Sequence, residues 1–444
     1  MRNKKERFDF VAYMSPPPAD AKDGKKFFSV RDFMTEEHYR NVRECGFNRL
    51  SAIYEHTEEQ YLRAMSFCDL LGLEYVVREQ VEGASLDDIV EHFWENPKAA
   101  EKELSRIEHS VKARIERYAE HPSFVGILGC DEPHIRKFPV LKLLSGWMKE
   151  NFPDKEFEIN LLPDYASGEQ LTGAEGSEKN YREYVDAFIR SVEPQVLSYD
   201  HYALMIDRNT GKTYIRDSYL ENLQIMARQA QKFQISFRVF LLTLGHWSFR
   251  TVSSYREIAW QVYTAMAYGA TGAQTFTYWT MLGHPPGNPE NVTGALVSAE
   301  GELLPAWYAM REVIGEVRFF EREYLCFSWE KCLWIVPEKS MLSTLVRSLE
   351  QNTDARLIEI DADAELLIGC FSDGRRRAYL LSNLSDPADE KEANVRIVFD
   401  CDYEGTIYQG RRKNLFQTEA QKFHIHLRSG GGAFLILEKM RDDG

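Results

Sequence analysis

From Phe8 to Trp279 the chain alternates short, nearly continuous apolar runs with longer stretches in which apolar residues recur every three or four positions. A short run that is apolar on both pleats is what a parallel strand buried on both faces requires, and the longer period belongs to a helix with one buried stripe. Eight such runs occur: Phe8–Met14, Asn48–Tyr54, Glu74–Glu79, Phe124–Cys130, Phe157–Leu162, Val196–Tyr202, Phe237–Leu244 and Ala273–Trp279. The stretches between them, TEEHYRNVRECG, LSRIEHSVKARIERYAEH and SSYREIAWQVYTAMAYG among them, read as helices. Thr35 with Glu37, and Ser253 with Glu257, mark helix starts, while Gly46 and Gly269 stand where helices stop. Eight strand-helix alternations predict an α/β fold, a (β/α)8 TIM barrel, over residues 1–317. The alternative, an open doubly wound sheet, lacks a GxGxxG after its first strand.

Leu304–Val317 (LPAWYAMREVIGEV) reads as the last barrel helix, and from Arg318 the period shortens to two. CLWIV, LLIGCF, RAYLLSN, NVRIVF, GTIYQG, KFHIHL and AFLILE are expected strands, with a hairpin turn at Ser372-Asp373-Gly374 and a solvated loop at DPADEKE. Residues 318–444 are therefore expected to form an all-β sandwich that packs on the barrel and supplies no catalytic carboxylate.

Composition narrows the classes. A chain of 444 residues, 44% apolar and 28% charged, suits a soluble protein with one large and one smaller domain. No apolar run reaches the roughly 20 residues of a membrane span. The start MRNKKERFDFVAYM is basic but lacks the apolar core and cleavage site of a signal peptide, so a cytoplasmic location is expected. Seven cysteines without CxxC pairing read as free thiols in a reducing compartment, and neither a metal site nor a cofactor is expected. With 54 basic and 69 acidic residues the formal charge is −15, which disfavours nucleic acid as a partner. Aromatic residues make up 13%, mostly core, yet in number enough to offer stacking surfaces to sugar rings.

In a TIM barrel the chemistry lies at the C-terminal ends of the strands. Here those ends carry Tyr13, Tyr54-Glu55-His56, Arg78-Glu79, Asp131-Glu132, Asn160, Asp200-His201-Tyr202, His246-Trp247 and Tyr278-Trp279. Carboxylates, an amide, imidazoles and aromatics on one face are the inventory for binding and cleaving a polyhydroxylated ligand. Glu132, Asp131 and Asp200 are the catalytic candidates; Tyr54, Glu79, Asn160, His201, Tyr202, His246, Trp247, Tyr278 and Trp279 are the substrate-binding candidates. Plainer readings stand beside these: Asp131 and Glu132 as helix caps, Tyr278 and Trp279 as core, and His201 as a satisfied interior histidine.

The segment HPSFVGILGCDEPH, with Asp131-Glu132-Pro133 at the end of strand four, resembles the strand-four signature of retaining barrel glycosidases. The resemblance implies that Glu132 is the acid/base. That role needs a raised pKa, and Asp131 beside it and the apolar strand behind it would supply one. INLLPDYAS, LSYDHYAL and GATGAQTFTYWT resemble a loosely characterised bacterial group of such barrels in which a β-sandwich follows. The pattern departs at strand seven. FRVFLLTLGHWSFR places Thr243, Leu244, Gly245, His246 and Trp247 where retaining enzymes carry a nucleophilic glutamate, and the next carboxylate is Glu257.

Three routes around that gap are open. Asp200 could activate water in an inverting reaction, Glu79 could do so from the other side, or a substrate 2-acetamido group oriented by Asp131 could act as nucleophile, as in hexosaminidases. The expected activity is hydrolysis of a small oligosaccharide or glycoside. The alternatives are a glycan-binding barrel without catalysis and, more remotely, an aldolase or phosphosugar isomerase, which the absence of a strand-end lysine disfavours.

Overall fold

The structure, a computed structural model, describes residues 6–23, 26–27, 29, 31–51, 57–78, 85–281, 292–336 and 354–439. Strands β1 (Asp9–Tyr13), β2 (Arg49–Ser51), β3 (Glu74–Val77), β4 (Phe124–Asp131), β5 (Glu156–Leu161), β6 (Val196–Tyr199), β7 (Ser236–Leu242) and β8 (Gly272–Phe276) close into one barrel. Every pairing around the ring is parallel, including the closing pairs of β1 with β2 and with β8. All eight apolar runs thus carry a barrel strand.

The helices between them are set by their caps. Thr35 accepts from the His38 backbone N–H at the start of Glu36–Cys45, and Thr57 with Gln60 forms a capping box ahead of Glu58–Leu71. The box expected from Ser253 is made by Ser254, whose hydroxyl and backbone N–H both reach the Glu257 carboxylate. Among the described residues, no helix is long and apolar enough to cross a membrane.

The floor of the barrel, at the strand N-terminal ends, is ionic. Arg49 reaches Glu74, Glu156 and Glu158 at 2.9, 2.7 and 2.9 Å. Arg238 reaches Glu158, Asp9 and Glu156 at 2.9, 3.2 and 3.3 Å. Both guanidiniums are buried.

The last barrel helix spans Pro305–Tyr324 and so runs past the junction expected at Arg318. Phe320, Glu321 and Tyr324 continue its buried stripe, which FFEREY did not reveal because it also fits an alternating strand. The C-terminal part is a two-sheet β-sandwich. A six-stranded sheet runs in the order Ser328–Ile335, Leu366–Ser372, Arg377–Asn383, Gly432–Lys439, Tyr403–Gln409, Arg412–Gln417, and a three-stranded sheet in the order Leu357–Ala362, Ala393–Phe399, Lys422–Leu427. Leu357–Ala362 and Arg412–Gln417 were not expected as strands; the first is mostly exposed or half-buried and the second almost wholly exposed, so neither shows a clean apolar alternation.

The sandwich closes over helix Tyr255–Ala267, every residue of which from Ile258 onward is buried. At Gly369 a Cβ would lie 2.1 Å from the Ala267 carbonyl oxygen, so only glycine lets the strand pass this close to the helix. DPADEKE is more than a solvated loop. Asp386 takes a bidentate ion pair from buried Arg250 at 2.7 and 2.5 Å, and nearby the Trp260 indole donates to the Leu384 carbonyl.

Candidate active site

Strands β4, β5 and β6 lie side by side, and their register sets Asp131 beside Asn160 and Asn160 beside Ser198. A bulge in β4 between Leu128 and Cys130 brings the Asp131 end into that register. Gly129 makes it possible, because a Cβ there would lie 2.2 Å from the Phe157 ring.

Asn160 is the hub. Its Nδ2 donates to Asp131 Oδ1 at 3.1 Å and to Asp200 Oδ1 at 3.2 Å. Its Oδ1 accepts from Ser198 Oγ at 2.9 Å, and that hydroxyl accepts in turn from Gln274 Nε2 at 2.9 Å. The amide is thereby oriented with both N–H bonds toward carboxyl groups. Asn160 also holds Glu132, whose backbone N–H donates to the Asn160 carbonyl at 2.8 Å.

Glu132 has φ of 48°, in the left-handed region that residues with a Cβ enter at a cost of order 1–3 kcal/mol. The two carboxyl residues cap no helix: the turn Ile135–Lys137 and the helix Phe138–Asn151 that follow have no side-chain cap. The Glu132 side chain is reachable from solvent at the mouth but walled by protein elsewhere, and it hydrogen-bonds Asp200, which is buried.

Two carboxyl groups thus share one amide, and a third, that of Glu132, bonds one of them. Burial first, and the Asp131 charge second, push Glu132 up to about 7, against the opposing effect of its hydrogen bond with Asp200. Burial, then Glu132 and Asp131, hold Asp200 well above the carboxylate range, although the bond from Asn160 pulls the other way. Two carboxyls in hydrogen-bond contact cannot both ionise cheaply, so the pair keeps a proton where isolated acids would have lost theirs.

An aromatic wall adjoins the carboxyls. The Tyr202 ring meets His246, Phe249 and Phe276 with centroids 6.2, 5.4 and 5.4 Å apart, and Tyr13 lies 6.4 Å from Phe276. His246 donates through Nδ1–H to the Leu244 carbonyl at 3.1 Å, and burial lowers its pKa. Trp247 stands at the rim, 55% exposed.

Other candidates fall elsewhere. Tyr54 and Glu79 lie outside the described residues. His201 is buried behind the wall, its Nδ1 2.9 Å from Asn222 Oδ1 and 3.3 Å from Asp164 Oδ1, so it braces the loops rather than lining the cup. Tyr278 and Trp279 are also core, not a sugar platform. The Tyr278 N–H bonds the Tyr13 carbonyl and Trp279 bridges Val297, which turns the Tyr278 ring onto Phe47 and the Trp279 ring onto Phe33 and His38.

Sequence reasoning missed Tyr165 and Arg216. Tyr165 feels the charges of Asp200 and Glu132, and the Arg216 guanidinium lies 3.9 Å above its ring. Tyr165 sits in the PDY segment after strand five, a signal that could have been taken. Arg216 follows an inserted hairpin of Leu204–Ile206 and Thr213–Ile215, and nothing in its local sequence marks it.

The fold has solved counterparts. The chain is similar to the β-galactosidase of Bacillus circulans sp. alkalophilus, with TM-score 0.60 and 8% identity over 98% of this chain and 100% of that one. It is similar also to the α-amylases of Geobacillus thermoleovorans (TM-score 0.52, 10% identity, 99% and 100% covered) and Anoxybacillus (0.51, 10%, 99% and 99%). At such identities the likeness establishes a barrel with a trailing β domain, and no activity. No protein-family model matches the sequence, and no curated protein matches it.

Proposed function

We propose that the protein is a glycoside hydrolase that cleaves a small oligosaccharide or glycoside, with Glu132 as the proton donor. One observation carries this reading: a glutamate at the mouth of the barrel, in the left-handed conformation, is pushed up to about 7 by burial and Asp131. A general acid works best when its pKa lies near the working pH. His246 and the exposed Trp247 at the rim, backed by the buried Tyr202, would offer the apolar faces against which a sugar ring stacks.

Glu132 gives its proton to the glycosidic oxygen as the bond from that oxygen to the anomeric carbon breaks. The end of strand seven supplies no nucleophile, since Thr243 Oγ1 donates to the Thr277 carbonyl and Leu244 is buried. Double displacement through that strand therefore has no support here. Asp200, in contact with Glu132, stands closer than the ~6.5–9.5 Å spacing of an inverting pair. Its direct effect in the empty cup is on the proton of Glu132. Once substrate parts the two groups and Asp200 releases its proton to solvent, its carboxylate can take a proton from attacking water, which inverts the anomeric centre. A 2-acetamido group steered by Asp131 would instead attack the anomeric carbon and retain its configuration. Product stereochemistry separates the two.

Glu132→Gln tests the reading. The amide keeps the shape but has no proton to give, so hydrolysis of unactivated glycosides should fall by about 10²–10⁴-fold while an activated aryl glycoside loses much less. Equal losses on both would remove Glu132 from the role. A wild type that binds oligosaccharides and cleaves none would make the barrel a binding protein.

A further inference from the structure

Four interior arginines of this molecule are paired with acids. Arg49 and Arg238 are held by the floor carboxylates, Arg250 by Asp386 and Arg318 by Glu321. Arg216 differs. Among the described residues no carboxylate lies within 4 Å of it, although the chain carries a net charge of −15. It is half-buried, and its guanidinium is fixed by ring faces instead, 3.9 Å from the centroid of Tyr165 and 5.5 Å from that of Phe249. Nε donates to the Tyr202 carbonyl at 3.3 Å and Nη2 reaches only the Met205 sulfur at 3.4 Å, so strong donors remain unspent.

The position of this cation is informative. Of its two ring partners, Phe249 belongs to the aromatic wall with Tyr202 and His246, and Tyr165 feels the charges of Asp200 and Glu132. A second arginine of the same insertion, Arg208, is anchored to the Trp247 and Phe249 carbonyls at 2.6 and 3.0 Å and projects its charge onto His246. The cup is therefore polarised, with carboxyl groups on the β4–β6 side and positive charge on the β6–β7 side. A stacked, planar guanidinium with free N–H bonds matches the geometry of a carboxylate or phosphate oxygen pair.

We infer that the substrate carries an anionic substituent, a uronate carboxylate or a sugar phosphate, and that Arg216 is the residue that selects it. This inference rests on the glycosidase reading for the sugar but not for the charge. Anion and scissile bond would lie at opposite sides of one ring, so that the acid cluster meets the glycosidic oxygen and the arginine meets the substituent.

Binding tests it without turnover. Matched aryl thioglycosides, which resist hydrolysis, are titrated calorimetrically into the full chain as three series: neutral glucosides and galactosides, their uronides, and their 6-phosphates. At least one charged series should bind about tenfold tighter or more than its neutral partner, the worth of a charge-assisted hydrogen bond, with the preference shrinking as salt rises. Tighter uronides identify a carboxylate and tighter phosphates a phosphoryl group. Arg216→Gln should erase the preference and leave neutral binding in place; Arg216→Lys should keep part of it for a phosphate and little for a carboxylate. Equal or tighter binding of the neutral series, no binding of either charged series, or a preference that survives Arg216→Gln overturns the inference. Failure to hydrolyse the corresponding O-glycosides would overturn the glycosidase reading alone and leave the charge preference standing.

Discussion

The barrel crowds carboxyl groups at both ends and treats them oppositely. At the floor, Asp9, Glu74, Glu156 and Glu158 share two buried guanidiniums. At the mouth, Asp131 and Asp200 share one neutral amide, and Asp200 shares a proton with Glu132. Each floor acid is held by at least one guanidinium, so these acids serve as ties between strands. Among the described residues no cation pairs with Glu132 or Asp200, and burial with their mutual charge makes these two resist ionisation, so a proton stays available near neutral pH. What separates a structural acid cluster from a chemical one here is the partner that answers its charge.

Breaking the floor should have the largest effect on folding. Arg238→Met would leave Asp9, Glu156 and Glu158 with an unmet share of buried charge, and loss of one partner of such a network typically costs about 3–5 kcal/mol. Chemical denaturation should show that loss, while whatever protein still folds should keep the same pH dependence of hydrolysis.

Relieving the mouth should act in the other direction. Because Asp200 has a folded-state pKa above its ordinary 3.8, the unfolded chain releases a proton that the native protein retains. Stability is therefore lost as pH rises from that ordinary value toward the folded one. Asp200→Asn removes the penalty and should stabilise the protein at pH 7 by roughly 0.5–2 kcal/mol, the range of a single stabilising change, with the gain vanishing near pH 4. Thermal melts across pH would show it, and a destabilised variant at pH 7 would mean that the mouth is compensated after all.

The smallest change in stability is expected from Asp131→Asn, since Asp131 is exposed and surface substitutions usually stay within about 0.5 kcal/mol. Its effect belongs to the pH–rate profile. Asp131 is the second cause, after burial, that raises Glu132, so its loss should move the alkaline limb to lower pH. An unmoved limb would assign the raised value to burial alone.

The two ends were also unequally legible. All eight barrel strands could be read because a strand buried on both faces is apolar throughout, a signal contained within its own few residues. The place of Glu132 at the end of strand four was legible for a similar reason: motif and strand position coincide. Arg216 was not, because its place depends on where an inserted hairpin folds back, which no local period encodes, and Tyr165, in the PDY segment after strand five, was passed over. Tyr278 and Trp279 were misread from the opposite fault. An aromatic pair at a strand end looks the same whether the chain then turns inward or outward, and here hydrogen bonds to the Tyr13 and Val297 backbones turn it outward. The two missed sandwich strands, exposed over most of their length, carried too little apolar pattern to register.

The helix Tyr255–Ala267 carries a consequence for how this architecture can be inherited. Most barrel helices keep one face for water; this one, buried from Ile258 to its end, has given both faces away. An appended domain joined by a tether can be shuffled, duplicated or lost between lineages without harm to its neighbour. A sandwich that serves as the outer wall of a barrel helix, and is latched to it through Arg250 and Asp386, cannot be exchanged in that way. The two parts must travel through evolution as one heritable unit, and a recombination joint placed between them would expose an oily seam where neither fragment has an outside.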